Sequence, residues 1–329
     1  VKRIKLIASG GTISGKGVNQ LDLKDYRTGY YTGEDLLQQV PEILDLSQVD
    51  VFQLANMSST KMESSDWIQL KRLVDELLYQ KDYDGIVITH GTNTLEETAY
   101  FLHLTVKSEK PVVLVGAQRP FTAIGSDALN NLWTSVKVAV DEQSYEKGVL
   151  VVANNEIHSA REVSKTDTYS LDTFQSGRIG ALGYVNPDHI VQYDRYPTRK
   201  HTFQSKFNDS RLDNLPEVAI VYSHAGVSGD IINLIVTSEK YSGIVLAGTG
   251  AGRCSPKEEE SLKKASQKGM VVVRSSRCFE GRVVPIESFD AFPFITADNL
   301  SPQKARILLM LALTLTDDLS EIQAMFHAY

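Results

Sequence analysis

Cysteine is nearly absent from this chain: Cys254 and Cys278 are the only two in 329 residues, and they form no CxxC spacing for a metal or redox site. As a pair they fit either two buried thiols or one disulfide. No apolar run approaches the roughly 20 residues that a membrane-spanning helix needs, so no membrane partner is expected. A basic surplus is also missing. The 34 Lys and Arg residues are outnumbered by 41 Asp and Glu, and a net charge of −7 argues against nucleic acid as a partner. The longest basic cluster, from Arg195 to Lys200, contains Pro197 and reads as solvated linker. Low-complexity tracts and short repeats are lacking, no signal-peptide pattern is read in this sequence, and its start at Val1 fits either a processed form or an expressed piece.

What is present is the composition of a globular protein, 42% hydrophobic and 23% charged. The length suggests two domains rather than one core. Short β-branched runs alternate with helical patterns. A strand over Lys5–Ala8 leads into a polar, glycine-bearing stretch from Gly15 to Gly33, the length of a functional lid. Helices are expected over Glu34–Val40 and Asp66–Tyr79, the second with Trp67, Leu70, Val74 and Leu77 inward. Gly85–Thr89 then precedes a Thr94–Val106 helix, Pro111–Gly116 precedes a Ser126–Asp141 helix, and Gly148–Ala153 is a further strand. This rhythm predicts parallel βαβ units. The fold class is therefore α/β with two domains: a larger N-terminal one over 1–190, mostly parallel sheet flanked by helices, and a smaller one over 216–329. The polar segment 191–215, with Pro197 and Asn208-Asp209-Ser210, reads as the linker. In the second domain, strands are expected over Val218–Tyr222, Gly243–Ala247 and Met270–Arg274, and helices over Gly229–Thr237, Pro256–Gln267 and Pro302–Thr314.

Two threonine-bearing stretches carry the chemistry. Gly10-Gly11-Thr12-Ile13-Ser14-Gly15-Lys16 has the glycine and Gly-Lys spacing of a P-loop. Gly17, however, stands where a P-loop needs Ser or Thr, and no amphipathic helix follows, so nucleotide binding is the weaker reading. The better one is a threonine hydroxyl at a strand's C-terminal end beside glycine N–H groups, a nucleophile next to an oxyanion hole. Tyr26 in the lid can take the Thr12 proton if the lid closes; apolar packing of that tyrosine is the competing reading. The second stretch, Thr89-His90-Gly91-Thr92-Asn93-Thr94, joins a strand to a helix, and Thr94 and Glu97 have capping-box spacing. Lys165, after the Gly148–Ala153 strand, is a candidate base for Thr92, although a lone lysine is more often solvated.

Taken together, these stretches resemble the bacterial L-asparaginases, most closely the type II enzymes. The resemblance extends through Glu96-Glu97-Thr98-Ala99-Tyr100-Phe101-Leu102, Val112–Ala117 with Arg119-Pro120, Arg199–Thr202, Val273–Arg277 and Pro302–Arg306, and it runs the whole length. It implies an amidohydrolase that releases ammonia from the side-chain amide of L-asparagine through a threonyl acyl-enzyme, with glutaminase side activity. Thr12 matches the nucleophile, Tyr26 the lid tyrosine, and Thr92 with Lys165 the second threonine and its lysine. Ser59 falls where the family binds the substrate α-carboxylate, Gly11, Gly91 and Ala117 fall among its substrate-contacting positions, and Glu287 matches a glutamate lent by a neighbouring subunit. The resemblance further implies a homotetramer built of two intimate dimers, no metal or organic cofactor, and a periplasmic or secreted location, with the cytoplasm left open.

Three positions depart from the family. Asn93 stands where the family has an Asp that pairs with the substrate α-ammonium, Thr60 where it usually has Gln, and Ala251 where the neighbouring subunit usually contributes Asn. Loss of the Asp anion is expected to weaken binding of a free amino acid by about tenfold or more and to lower the pKa of Lys165. All three departures lie around the substrate's ammonium end. The alternative reading is an amidase for an asparagine whose α-amino group is substituted or uncharged, such as an N-acyl or N-glycosyl derivative.

Overall fold

The first strand, β1 (Arg3–Gly10), lies near one edge of a sheet, and its order relative to its neighbours decides where a ligand can sit. In the computed structural model, which describes residues 1–208, 212–289 and 292–329, α1 (Gly33–Gln38) and α2 (Ile43–Leu46) lead to β2 (Gln48–Met57) and α3 (Ser64–Tyr79). Then follow β3 (Gly85–Thr89), α4 (Leu95–Thr105), β4 (Val112–Val115), α5 (Ala128–Val140) and β5 (Val149–Ala153). The strands β6 (Glu156–Ser159), β7 (Ser164–Lys165), β8 (Phe174–Gln175), β9 (Gly183–Val185) and β10 (Val191–Tyr193) complete this part of the chain.

Eight strands form one sheet in the order β10-β9-β6-β5-β4-β3-β1-β2. The run from β5 to β2 is parallel, and β6, β9 and β10 extend it antiparallel. Within the parallel run the order β2-β1-β3-β4-β5 reverses between β1 and β3. Ligands in open α/β sheets bind at such a switch point, outside the carboxyl ends of the strands. Pairing of Ala8 with Thr89 brings the ends of β1 and β3 level there. The central strands are apolar throughout because both faces are covered, as parallel sheets require. Burial of each such Val, Ile or Leu contributes about 1.5–3 kcal/mol.

The chain divides into two units, Val1–Arg211 and Leu212–Tyr329. The second holds a parallel sheet of β11 (Val218–Tyr222), β12 (Gly243–Gly248), β13 (Val271–Ser276) and β14 (Ile295–Thr296). Its helices are α6 (Asp230–Ser238), α7 (Pro256–Gln267), α8 (Pro302–Ala312) and α9 (Leu319–Ala328). Two mostly parallel α/β units, the larger first, are thus the observed architecture.

Several local expectations need correction. Val191–Tyr193, read as the start of the linker, pairs with β9 because Val191 is buried in the core of the first unit. Asp209 and Ser210 of that linker lie outside the described residues. β2 carries the weak alternation of an edge strand and was not expected from periodicity; α9 and the short antiparallel strands were also unexpected. Thr94 precedes α4 without capping it, since its hydroxyl donates to Ser59 O at 2.8 Å instead. Cys254 and Cys278 are free thiols, and burial pushes that of Cys254 up to about 12. The stretch after Thr12 is a single 3₁₀ turn, Thr12–Ser14, with no α-helix to support a P-loop.

Candidate active site

Three loops meet at the switch point: Gly11–Ser14 after β1, Ser58–Lys61 after β2, and His90–Thr94 after β3. Their contact depends on missing side chains. A Cβ on Gly11, whose φ is +86°, would lie 2.5 Å from Gly91 Cα, and one on Gly91 would lie 2.7 Å from Ser59 Oγ. Only glycine permits this approach. The Gly11 N–H, expected to face a developing oxyanion, donates to Met57 O at 3.0 Å and is unavailable for that.

The loops enclose a cavity of about 540 Å³ lined by Gly11, Thr12, Tyr26, Ser59, Gly91, Thr92, Asn93 and Lys165, among others. Thr12 is buried, and its Oγ1 lies 2.8 Å from Tyr26 Oη. The lid is therefore closed. Lys16 and Arg27 exchange backbone hydrogen bonds of 2.9 Å at its base, and Tyr30 N–H and Tyr31 N–H both donate to Ser14 O. A stitched strap replaces the mobile loop expected from composition. Opposite it, Lys165 Nζ donates to Thr92 Oγ1 at 2.8 Å and to Asn93 Oδ1 at 3.4 Å. The backbone N–H of Lys165 donates to Glu96 Oε2 on α4 at 3.0 Å, which fixes the lysine's height above the helix.

The Lys165 pKa is lowered, and burial is its leading cause. Asp167 and, to a smaller extent, Glu96 act in the opposite direction. Desolvation is thus what sets the Lys165 pKa below the ordinary lysine value.

Beneath the cavity runs a chain of hydrogen bonds with only one possible direction. Trp67 Nε1 can only donate, and it does so to Thr98 Oγ1 at 2.9 Å. Gly91 O can only accept, so His90 Nδ1 carries the ring proton that bonds it at 2.8 Å; Nε2 of the neutral ring is then an acceptor, and the Thr98 hydroxyl donates to it at 3.0 Å. Burial depresses the His90 pKa to about 4, so the ring is neutral. With the Gly91 carbonyl held downward, the trans peptide turns the Thr92 N–H the other way. That N–H has no acceptor among the described residues.

Ser59 Oγ is buried and has no hydrogen-bond partner among the described residues. Such a hydroxyl on a cavity wall is a candidate ligand contact. Not every expected site residue is gathered here. Thr60 is exposed and bonds Ser58 Oγ, and Ala117 is buried in the core at the end of β4. Ala251 and Glu287 are exposed residues of the second unit. The cavity also gathers residues that sequence reading passed over, notably Glu96, Gln118, Asp167 and Tyr169. Asp167 lies two residues beyond Lys165 in the chain, a proximity that spacing alone does not turn into a shared pocket.

Comparison with known proteins bears directly on this geometry. Residues 3–198 match the family described as asparaginase, N-terminal, and residues 217–326 match the glutaminase/asparaginase C-terminal domain. The chain belongs to the asparaginase family. It is 43% identical to L-asparaginase 2 of Bacillus subtilis, over 99% of this chain and 86% of that protein. With a Haemophilus influenzae protein named "Probable L-asparaginase periplasmic" it shares 41% over 99% of this chain and 93% of the relative. A crystal structure from Campylobacter jejuni, titled as that of a "Probable Cytoplasmic L-asparaginase", superposes with a TM-score of 0.97 at 41% identity and covers both chains fully. For an asparaginase fold, the switch-point cavity with its two threonines is the candidate active site.

Proposed function

We propose that this chain hydrolyses the side-chain amide of L-asparagine to L-aspartate and ammonia, with Thr12 as nucleophile. The observation that carries this reading is the pair of hydroxyls on one cavity, each 2.8 Å from its own proton-handling side chain. Thr12 Oγ1 attacks the amide carbon while Tyr26 accepts its proton. The oxyanion is held by the Thr92 N–H. The C–N bond then breaks, ammonia leaves with the transferred proton, and a threonyl ester remains. Lys165, whose neutral proton-accepting form burial favours, and Thr92 orient and deprotonate the water that cleaves the ester, returning the proton to Thr12. Ser59 Oγ, buried without a partner, receives the substrate α-carboxylate.

L-Glutamine is proposed as a slower substrate, in line with the name of the matching C-terminal domain family. The assembly we propose is a homotetramer of two intimate dimers, in which Ala251 and Glu287 complete a neighbouring site. Exposure of Ile220, Tyr222, Ile231 and Leu234 on β11 and α6 supports self-association. For a periplasmic or secreted location, the Haemophilus name speaks in favour and the Campylobacter title against. A substituted α-amino group on the substrate is the second reading, favoured by the uncharged Asn93.

Ammonia release from L-Asn, L-Gln, D-Asn, N-acetyl-Asn and a glycated Asn decides between the two. The best kcat/KM is expected on L-Asn. No release from any of these amides, or equal turnover by Thr12→Ala, overturns the reading.

A further inference from the structure

The site lacks an anion at position 93, yet it holds another close by. We infer that Asp167 is the specificity residue that receives the α-ammonium of a free amino acid in this active site, in place of the carboxylate that Asn93 does not provide. This rests on the proposed asparaginase reaction.

Asp167, Asn93 and Lys165 line the same cavity, and Lys165 Nζ donates to Asn93 Oδ1. Lys165 and Asp167 belong to one hairpin, in which β7 pairs antiparallel with β8 and Thr166 N–H donates to Thr173 O at 2.8 Å. The carboxylate is oriented by hydrogen bonds within the hairpin loop. Its Oδ1 accepts the N–H groups of Tyr169 and Ser170 at 2.7 and 2.8 Å, and the Asp167 N–H donates to Thr173 Oγ1 at 3.0 Å. Gln118, at the end of β4, braces the same loop by donating to the carbonyls of Thr168 and Ser170 at 3.4 and 3.1 Å. Oδ2 has no hydrogen-bond partner among the described residues, so one oxygen of this anion is left for a ligand.

The cavity's other carboxylate is differently placed. Glu96 is buried, and its Oε2 already accepts the backbone N–H of Lys165. The two cavity carboxylates also differ in their effect on Lys165: Asp167 stabilises the ammonium more than Glu96 does. Asp167 is thus close enough to act on a cation there. A preoriented carboxylate binds an ammonium at a lower ordering cost than a freely rotating one.

The test compares L-Asn with succinamate, which is the same amide without the α-amino group. Wild type, Asp167→Asn, Asn93→Asp and the double variant are assayed for ammonia release as the full chain. Asn at 167 keeps Oδ1 for the two N–H groups that shape the turn, so the hairpin is retained. The kcat/KM ratio of L-Asn over succinamate is expected to fall about tenfold or more in Asp167→Asn, the worth of a charged hydrogen bond. Adding Asn93→Asp is expected to recover most of that ratio. General damage to the site lowers both substrates alike and leaves the ratio where it was. An unchanged ratio in Asp167→Asn, or no recovery in the double variant, overturns the inference while leaving the asparaginase reading intact. A wild type inactive on L-Asn overturns both.

Discussion

Lys165 Nζ lies 2.8 Å from Thr92 Oγ1 on a side chain that burial makes easier to deprotonate. Because only the neutral amine can accept a proton, kcat should rise with pH as this group ionises, at a pH below the ordinary lysine value of 10.5. Lys165→Met should remove that limb and lower kcat by about 10²-fold or more. Stability follows the same sign. Between the lowered folded pKa and the ordinary unfolded one, the unfolded chain binds more protons, so the Lys165 contribution to stability grows with rising pH. Rate and denaturation profiles of wild type and Lys165→Met check both statements.

In the proposed mechanism Tyr26 acts on Thr12 only while the strap is closed, and Gly15 packs against the tyrosine ring in that state. A Cβ at Gly15 would lie 2.9 Å from Thr12 O and 3.0 Å from Tyr26 Cδ2. Gly15→Ala should therefore displace the tyrosine ring and lower kcat roughly as Tyr26→Phe does, by about 10²-fold. Gly15 has an ordinary extended backbone (φ −83°), so no backbone strain is added. Single-turnover acylation rates separate this effect from product release.

Ser59→Ala should separate binding from stability. Removing a buried hydroxyl without a partner leaves the melting temperature unchanged or raises it, because an unsatisfied polar group is lost. KM for L-Asn should rise about tenfold with the loss of a hydrogen bond to the carboxylate. Calorimetry and steady-state kinetics on one preparation test the pair of outcomes.

Thr98→Val breaks the one-way chain from Trp67 to Gly91. Trp67 Nε1 and His90 Nε2 are both left buried without a partner, which should cost about 1–3 kcal/mol each in denaturant unfolding. Freed of its donor, His90 can adopt the other tautomer and release the Gly91 carbonyl. kcat should then fall more than KM rises, because the Thr92 N–H is no longer aimed. ¹⁵N chemical shifts of the His90 ring report the tautomer directly.

Much of this molecule was legible in the chain itself. The apolar runs at Gly85–Thr89 and Gly243–Ala247 match the observed strands because parallel strands covered on both faces need little beyond local apolar sequence. Pro256–Gln267 matches its helix because Ser255, Pro256 and Glu258 cap it locally. Edge strands such as β2 and β10 were not legible, since half-exposed strands lack an unbroken apolar signature and take their register from neighbours. Residue type and motif single out Thr12, Tyr26, Thr92 and Lys165 from the chain alone. Only the tertiary structure decided that β1 and β3 are adjacent, which joins two hydroxyls 80 positions apart on one cavity. It likewise placed Asp167 beside Lys165 and occupied the Gly11 N–H, because distance in space depends on sheet order and turn geometry that neither stretch encodes alone.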